Sequence, residues 1–213
     1  MMRIAALIGL GALLAGCNTI TSTTPLFSSA DARGQPQPRP GLWVDEDNTC
    51  VFDPTRPLGE WPGCADAWVV HPGEILAGRD PGTPASAWAH YQTVLVKGDP
   101  AVLQVEVGAD SPPKSYIYVG LRPLKFDSHG RVIEYKAWPA LCGPPPPPDR
   151  TGQKSAIMTQ RPIAGLVVEA GKNDCIASVK GPVLVSVGES EAWGGDPDGR
   201  GRDHVRWVRD GEQ

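Results

Sequence analysis

Between Trp68 and Trp138 the chain three times runs apolar, stops at a tight turn and runs apolar again. That repetition constrains the fold more than any other feature. The first instance, Trp68 to Leu76, breaks at His71-Pro72-Gly73-Glu74, where Pro second and Gly third fit a type II turn. The second, Gln92 to Val107, turns at Lys97-Gly98-Asp99-Pro100. In its return arm Leu103, Val105 and Val107 alternate with Gln104 and Glu106, the period of a strand with one wet face. The third, Ser115 to Trp138, turns at Asp127-Ser128-His129-Gly130, and Ile133, Tyr135 and Ala137 alternate with Glu134 and Lys136. Turns this short join antiparallel neighbours. Pro123 cannot donate to a ladder, so its strand bends, ends or lies at an edge there.

Later elements are less regular. Five prolines, Pro144 to Pro148, read as an extended surface connection. Residues 163–169 and 175–179 read as short strands, the second alternatively as a helix start. Residues 181–193 fit either period. Val183, Val185 and Val187 suit a strand, whereas Val183, Leu184 and Val187 behind Pro182 suit a helix. In the closing run Val205 and Trp207 face one way and Arg206 and Val208 the other, a last strand. With 23 Pro and 25 Gly, long helices are disfavoured. The expected fold is mainly β: an antiparallel meander of about nine strands, closing as a small curled barrel or a sandwich, with at most one or two short helices. It forms a single β-rich domain over residues 41–213.

The first forty residues differ in kind. Arg3 precedes an apolar run, Ile4 to Leu14, broken only by Gly9 and Gly11. It is too short to span a bilayer, which takes about 20 residues, and it suits a secretory core of about 7–15. It ends Leu14-Ala15-Gly16-Cys17. These four residues resemble the lipobox of bacterial lipoproteins at every position. The resemblance implies removal of residues 1–16, a diacylglycerol on the Cys17 thiol and an acyl chain such as palmitate on the new amine. Several chains on one cysteine would hold the protein to a membrane without a protein helix. Asn18, where an Asp would favour inner-membrane retention in the enterobacterial pattern, leans towards the outer membrane and its periplasmic face, with the inner membrane as the alternative. Residues 17–40, rich in Thr, Ser, Pro and Gln, read as a lipidated disordered tether. Within it Pro25-Leu26-Phe27 either docks on the domain or is a chance apolar pair.

Export also bears on the remaining cysteines, Cys50, Cys64, Cys142 and Cys175. An even number in an exported chain reads as disulfides. Of three possible pairings, Cys50–Cys64 and Cys142–Cys175 close the shortest loops. Zinc is disfavoured, because no C-x-x-C occurs and no His lies within four residues of these cysteines.

Catalytic constellations do not emerge. There is no G-x-S-x-G, phosphate loop or H-E-x-x-H. His71 and His129 fall in turns, His90 stands alone, and Asp203-His204, as neighbours in a strand, point to opposite faces. Asp196, Asp198 and Gly201 open like a calcium loop, but Arg200 and Trp207 occupy ligand places. No cofactor or metal is expected. A formal charge of −4 without a basic stripe argues against nucleic acid as a partner. Seven tryptophans, Trp43, Trp61, Trp68, Trp88, Trp138, Trp193 and Trp207, are either core or, if exposed, a protein-binding face.

Gly41-Leu42-Trp43 resembles the G-x-W on the first strand of lipocalins. That resemblance implies an eight-stranded barrel for an apolar ligand, with Arg206 or Arg209 packed on the Trp. Gly41-Leu42-Trp43, Phe52-Asp53-Pro54, Trp61-Pro62 before Cys64, and the ending Arg206 to Gly211 also resemble envelope lipoproteins of alphaproteobacteria, a likeness that implies no activity. The sequence therefore leads to a non-enzymatic, lipid-anchored envelope module with an envelope protein partner. A carrier of an apolar ligand and a periplasmic enzyme inhibitor are the alternatives.

Overall fold

The computed structural model describes residues 18–45, 50–62, 65, 67–77, 88–108, 113–145, 159, 161–168, 174–193 and 203–211. Among these residues there are eleven strands: β1 (Ile20–Ser22), β2 (Gly41–Asp45), β3 (Ala67–His71), β4 (Glu74–Ala77), β5 (Ala89–Val96), β6 (Ala101–Val107), β7 (Ser115–Phe126), β8 (Val132–Pro139), β9 (Val167–Val168), β10 (Cys175–Ile176) and β11 (Asp203–Arg209). A 3-10 turn covers Leu58–Glu60, and an α-helix, α1, covers Lys180–Trp193.

Eight strands close on themselves. The order β2-β3-β4-β5-β6-β7-β8-β11 returns to β2, every neighbour antiparallel. The fold is thus mainly β, and of barrel and sandwich it is the closed barrel. Closure removes the free edges that invite edge-to-edge pairing. The three turns foreseen in the sequence join β3–β4, β5–β6 and β7–β8 at one end. Gly73 at φ +80 supplies the left-handed third position of the first, and Gly130 at φ +76 closes the third. The long connections leave from the opposite end. At Pro123 the β7–β8 register shifts, so the missing N–H produces a bulge rather than a strand end.

The period of two now has three cores to serve. Inside the barrel Trp43, Val70, Leu95, Ala101, Val119, Leu121, Tyr135 and Val205 converge from seven strands. Outside, two patches of the wall are also apolar, each under its own cover. Leu42, Val44, Val69 and Leu76 lie beneath Trp61, Ala65 and Trp88. Val96, Val102, Tyr116, Tyr118 and Trp138 lie beneath Ile20, Phe27, Val183 and Val187.

This second cover corrects the sequence reading. Residues 18–40 are no disordered tether. β1 pairs antiparallel with β7 and parallel with β10. Ile20 and Phe27 are buried, the Phe27 ring standing edge-on to Tyr118 at 6.0 Å. Gln104, placed on a wet face by alternation, lies beneath this segment instead. Its Oε1 accepts from the backbone N–H groups of Leu26 and Phe27 at 2.9 Å each, and its Nε2 donates to the Phe27 carbonyl at 3.1 Å. Low hydrophobicity hid the segment, because two apolar plugs and a buried amide hold it rather than a periodic face. Of the two readings of Pro25-Leu26-Phe27, docking is the one realised.

Residues 181–193 resolve as helix. The strand reading rested on Val183, Val185 and Val187, yet Val183 and Val187 pack inward and Val185 faces out. The expected strands at 163–169 and 175–179 shrink to two residues each, forming a flap beside β1.

Candidate functional site

Two places collect the residues that the sequence singled out: the junction where the chain leaves Cys17, and the barrel interior.

The junction begins at Asn18. It adopts φ +95, a conformation that Asn tolerates better than most residues. It is 4% exposed. Its Nδ2 donates to the Gly143 carbonyl at 3.0 Å, and its own carbonyl accepts from the Cys142 N–H at 2.8 Å. This geometry gives Asn at position 18 a structural role independent of sorting. Thr19 follows, bridged to Leu141 and donating through its hydroxyl to Asp174 at 2.9 Å. β1 is thus gripped from both sides, by Leu141–Cys142 and by β10. Those two grips are themselves joined by the Cys142–Cys175 disulfide. The bond buckles the start of the domain shut, and both its sulfur-bearing residues are fully buried. Ser22 Oγ and the Tyr118 hydroxyl lie 2.5 Å apart, and burial pushes that phenol up to about 12.

Helix α1 locks the same layer to the barrel. The Trp138 indole N–H donates to the Val187 carbonyl at 2.9 Å, Ser186 Oγ donates to the Leu141 carbonyl at 2.7 Å, and the Leu141 N–H donates to Ser190 Oγ at 2.9 Å. At its far end Glu191 accepts from Arg122 and Lys136, both at 2.6 Å. The Arg122 guanidinium, then Lys136, holds that carboxyl down at about 2.

Cys17 and Cys64 lie outside the described residues. Cys50 is disulfide-bonded. Of the expected pairs, Cys142–Cys175 is formed.

The barrel interior is apolar, and the half-buried Trp68, Ile75, Leu103, Ala137 and Trp207 pack against it. The Trp43 ring stacks on Tyr135 at 5.8 Å, and its N–H donates to the Arg39 carbonyl at 2.8 Å. The Tyr135 hydroxyl is buried without a hydrogen-bond partner, and burial raises its pKa. Trp43 and Trp207 face each other across β2 and β11, so first and last barrel strands meet. Trp43 is 1% exposed, whereas Trp207 is half-buried with the Arg39 guanidinium 3.6 Å from its ring centroid.

The arginine implied by the lipocalin resemblance is placed elsewhere. Arg209 lies over Trp61 and donates to the Pro54 and Arg56 carbonyls, while Arg206 lies over Phe52. Both sit on the outer wall: alternation turns Arg206 away from Trp43, and the register shift between Trp207 and Arg209 turns Arg209 outward as well. Sequence reasoning missed Tyr135 as a polar group in the lumen and Asn18 as a structural pivot. Only an isolated hydroxyl in an inward register marks the first.

The histidines stay apart. His90 pairs with Glu74 at 2.9 Å, His204 stands 3.9 Å from Glu134, and His129 is exposed in its turn. The calcium-like residues Asp196, Asp198 and Gly201 and the prolines Pro146–Pro148 lie outside the described residues. Among the described residues no three His, Cys, Asp or Glu side chains converge to hold a metal, and no helix is long and apolar enough to cross a membrane. Trp43, Trp61, Trp88 and Trp138 are buried core, Trp68 and Trp207 pack half-buried against the barrel core, and Trp193 is half-buried at the end of α1. No family model, no curated protein and no solved structure matches the chain.

Proposed function

We propose that this chain is a lipid-anchored lipoprotein of the cell envelope, held by a Cys17 carrying a diacylglyceryl thioether and an N-acyl chain on the periplasmic face of the outer membrane. Its barrel acts there as a non-enzymatic binding or assembly module for an envelope protein. One observation carries the reading: Leu14-Ala15-Gly16-Cys17 stands directly before Asn18, which is buried and hydrogen-bonded to Gly143 and Cys142. Disulfide chemistry at Cys142–Cys175 and Cys50 suits an oxidising compartment. Metabolic labelling with a fatty acid tests it. The parent is expected to carry label and fractionate with membranes. Cys17→Ser is expected to lose both while still folding, because the bonds of Asn18 are untouched. Label persisting on the Ser variant, or none on the parent, overturns the reading.

A specific observation favours a second reading, a carrier of one small apolar ligand. The barrel is closed, eight strands leave room for side chains or one small ligand, and the Tyr135 hydroxyl lies inside without a partner. A ligand acceptor would satisfy that hydroxyl. Mass analysis of organic extracts of the purified protein tests this reading. A stoichiometric lipid that Tyr135→Phe fails to retain supports the carrier, and an empty barrel removes it.

A further inference from the structure

A helix that is apolar all round belongs in a core or a membrane, since a water-facing side normally carries charge. The first half of α1 is of that kind. Val183 and Val187 face the barrel, and the exposed positions between Lys180 and Glu189 are Gly181, Leu184, Val185 and Gly188, none of them charged. Leu184 and Val185 are 45% and 49% exposed, and Val179 just before the helix is 56% exposed. The flap continues this surface. Val167, 62% exposed, lies in one row with Ile176 and Thr21 across β9, β10 and β1, opposite to the inward Val168 and Cys175. An added Cβ on Gly165 would stand 2.8 Å from Pro182, so the flap abuts the first turn of the helix. Four of the seven large apolar side chains most exposed among the described residues therefore sit in this one layer.

The residues that follow Cys17 belong to the same layer. Thr19 is two residues before the Val167–Ile176–Thr21 row, and it bridges Leu141, which holds Ser186 beside Val185. Asn18 is buried, its Nδ2 bonded to the Gly143 carbonyl and its backbone carbonyl to the Cys142 N–H, so the residue next to Cys17 is held in the fold.

We infer that the outer face of Val179, Leu184 and Val185, continued by Val167 on the flap, docks on the bilayer interface around the anchor. The inference rests on lipidation of Cys17. A lipid on that cysteine brings this face to the headgroups. Its uncharged side chains then enter the interface and fix the orientation of the barrel, where a slack tether would leave it free to turn.

The test uses the full lipidated protein in vesicles of phosphatidylethanolamine and phosphatidylglycerol. A trace phospholipid with a photoactivatable acyl chain is included, and adducts are mapped by mass spectrometry. Adducts on peptides covering 165–188 are expected in addition to the lipopeptide. Leu184→Glu/Val185→Glu is expected to lower the 165–188 yield by about fivefold or more, with fatty-acid label on Cys17 unchanged. Leu184→Ser/Val185→Ser serves if the double Glu variant does not fold. Adducts confined to the lipopeptide, or centred on Val51 or Leu124 and Phe126, overturn the docking face while leaving the anchor intact. Crosslinks from 165–188 to protein in native envelopes, with none to lipid in vesicles, assign the face to a protein partner and likewise overturn it. A Cys17 without lipid removes the anchor reading, and this face with it.

Discussion

Gly120→Ala is a one-methyl change that the structure makes costly. Gly120 lies on β7 directly opposite Trp138 on β8, with the indole folded over it. A Cβ at Gly120 would stand 2.4 Å from Trp138 Cε2 and Nε1, inside any allowed contact. The indole is 1% exposed and cannot swing into solvent without uncovering the core beneath α1. Overpacking of this kind costs about 1–3 kcal/mol. Displacing the ring also breaks its hydrogen bond to Val187 and leaves a buried N–H unpaired, a further ~1–3 kcal/mol. The sum is about 2–6 kcal/mol, or a fall of about 1–3 M in the urea midpoint at a slope near 2 kcal/mol per M. Replacing the indole should relieve the clash, so in the double variant Gly120→Ala/Trp138→Leu the two costs should fall short of additive by more than about 1 kcal/mol. A Gly120→Ala protein within about 0.5 kcal/mol of the parent would refute the packing of the indole over the glycine.

Three further outcomes follow from the same contacts. Replacing Cys142 and Cys175 together by Ser should cost about 3–4 kcal/mol by chain entropy, and hydrogen exchange should show β1 losing protection before the barrel strands. Trp43→Ala should cost about 3–5 kcal/mol and Trp207→Ala less than half of that, since only the first indole is fully buried; equal losses in urea unfolding would contradict the burial difference. Arg122 and Lys136 hold Glu191 at about 2, below its unfolded value, so its contribution is present above about pH 4.5 and disappears as pH falls towards 2. The urea midpoint of Glu191→Gln should therefore lie below that of the parent at pH 7 and converge with it on acidification.

The barrel was legible wherever a strand had one apolar face and a tight turn at its end. β3 to β8 fall where alternation and the Pro72-Gly73, Asp99-Pro100 and His129-Gly130 turns put them. Two readings failed and one stayed open between strand and helix for a common reason: all three concern pieces that cover the outside of the barrel. Gln104 read as wet because alternation does not record what lies over a strand. The covering residues 18–40 read as unstructured because two plugs, Ile20 and Phe27, make no period. Residues 181–193 read ambiguously because Leu184 and Val185 add apolar side chains to the outer face and blur the helical stripe. The arginines of β11 illustrate the remaining limit. Alternation predicts the wall that Arg206 faces, but a bulge after Trp207 turns Arg209 to the same wall, and the partners Phe52 and Trp61 come from a loop whose path no periodicity fixes.

The most direct test of the anchored account is the intact mass of the protein extracted from envelopes with detergent. The account predicts a chain beginning at Cys17, heavier than the peptide by a diacylglyceryl group and one further acyl chain, all of it confined to the fragment ending before Asp31. A chain that keeps residues 1–16, or one that begins elsewhere with an unmodified Cys17, would contradict it.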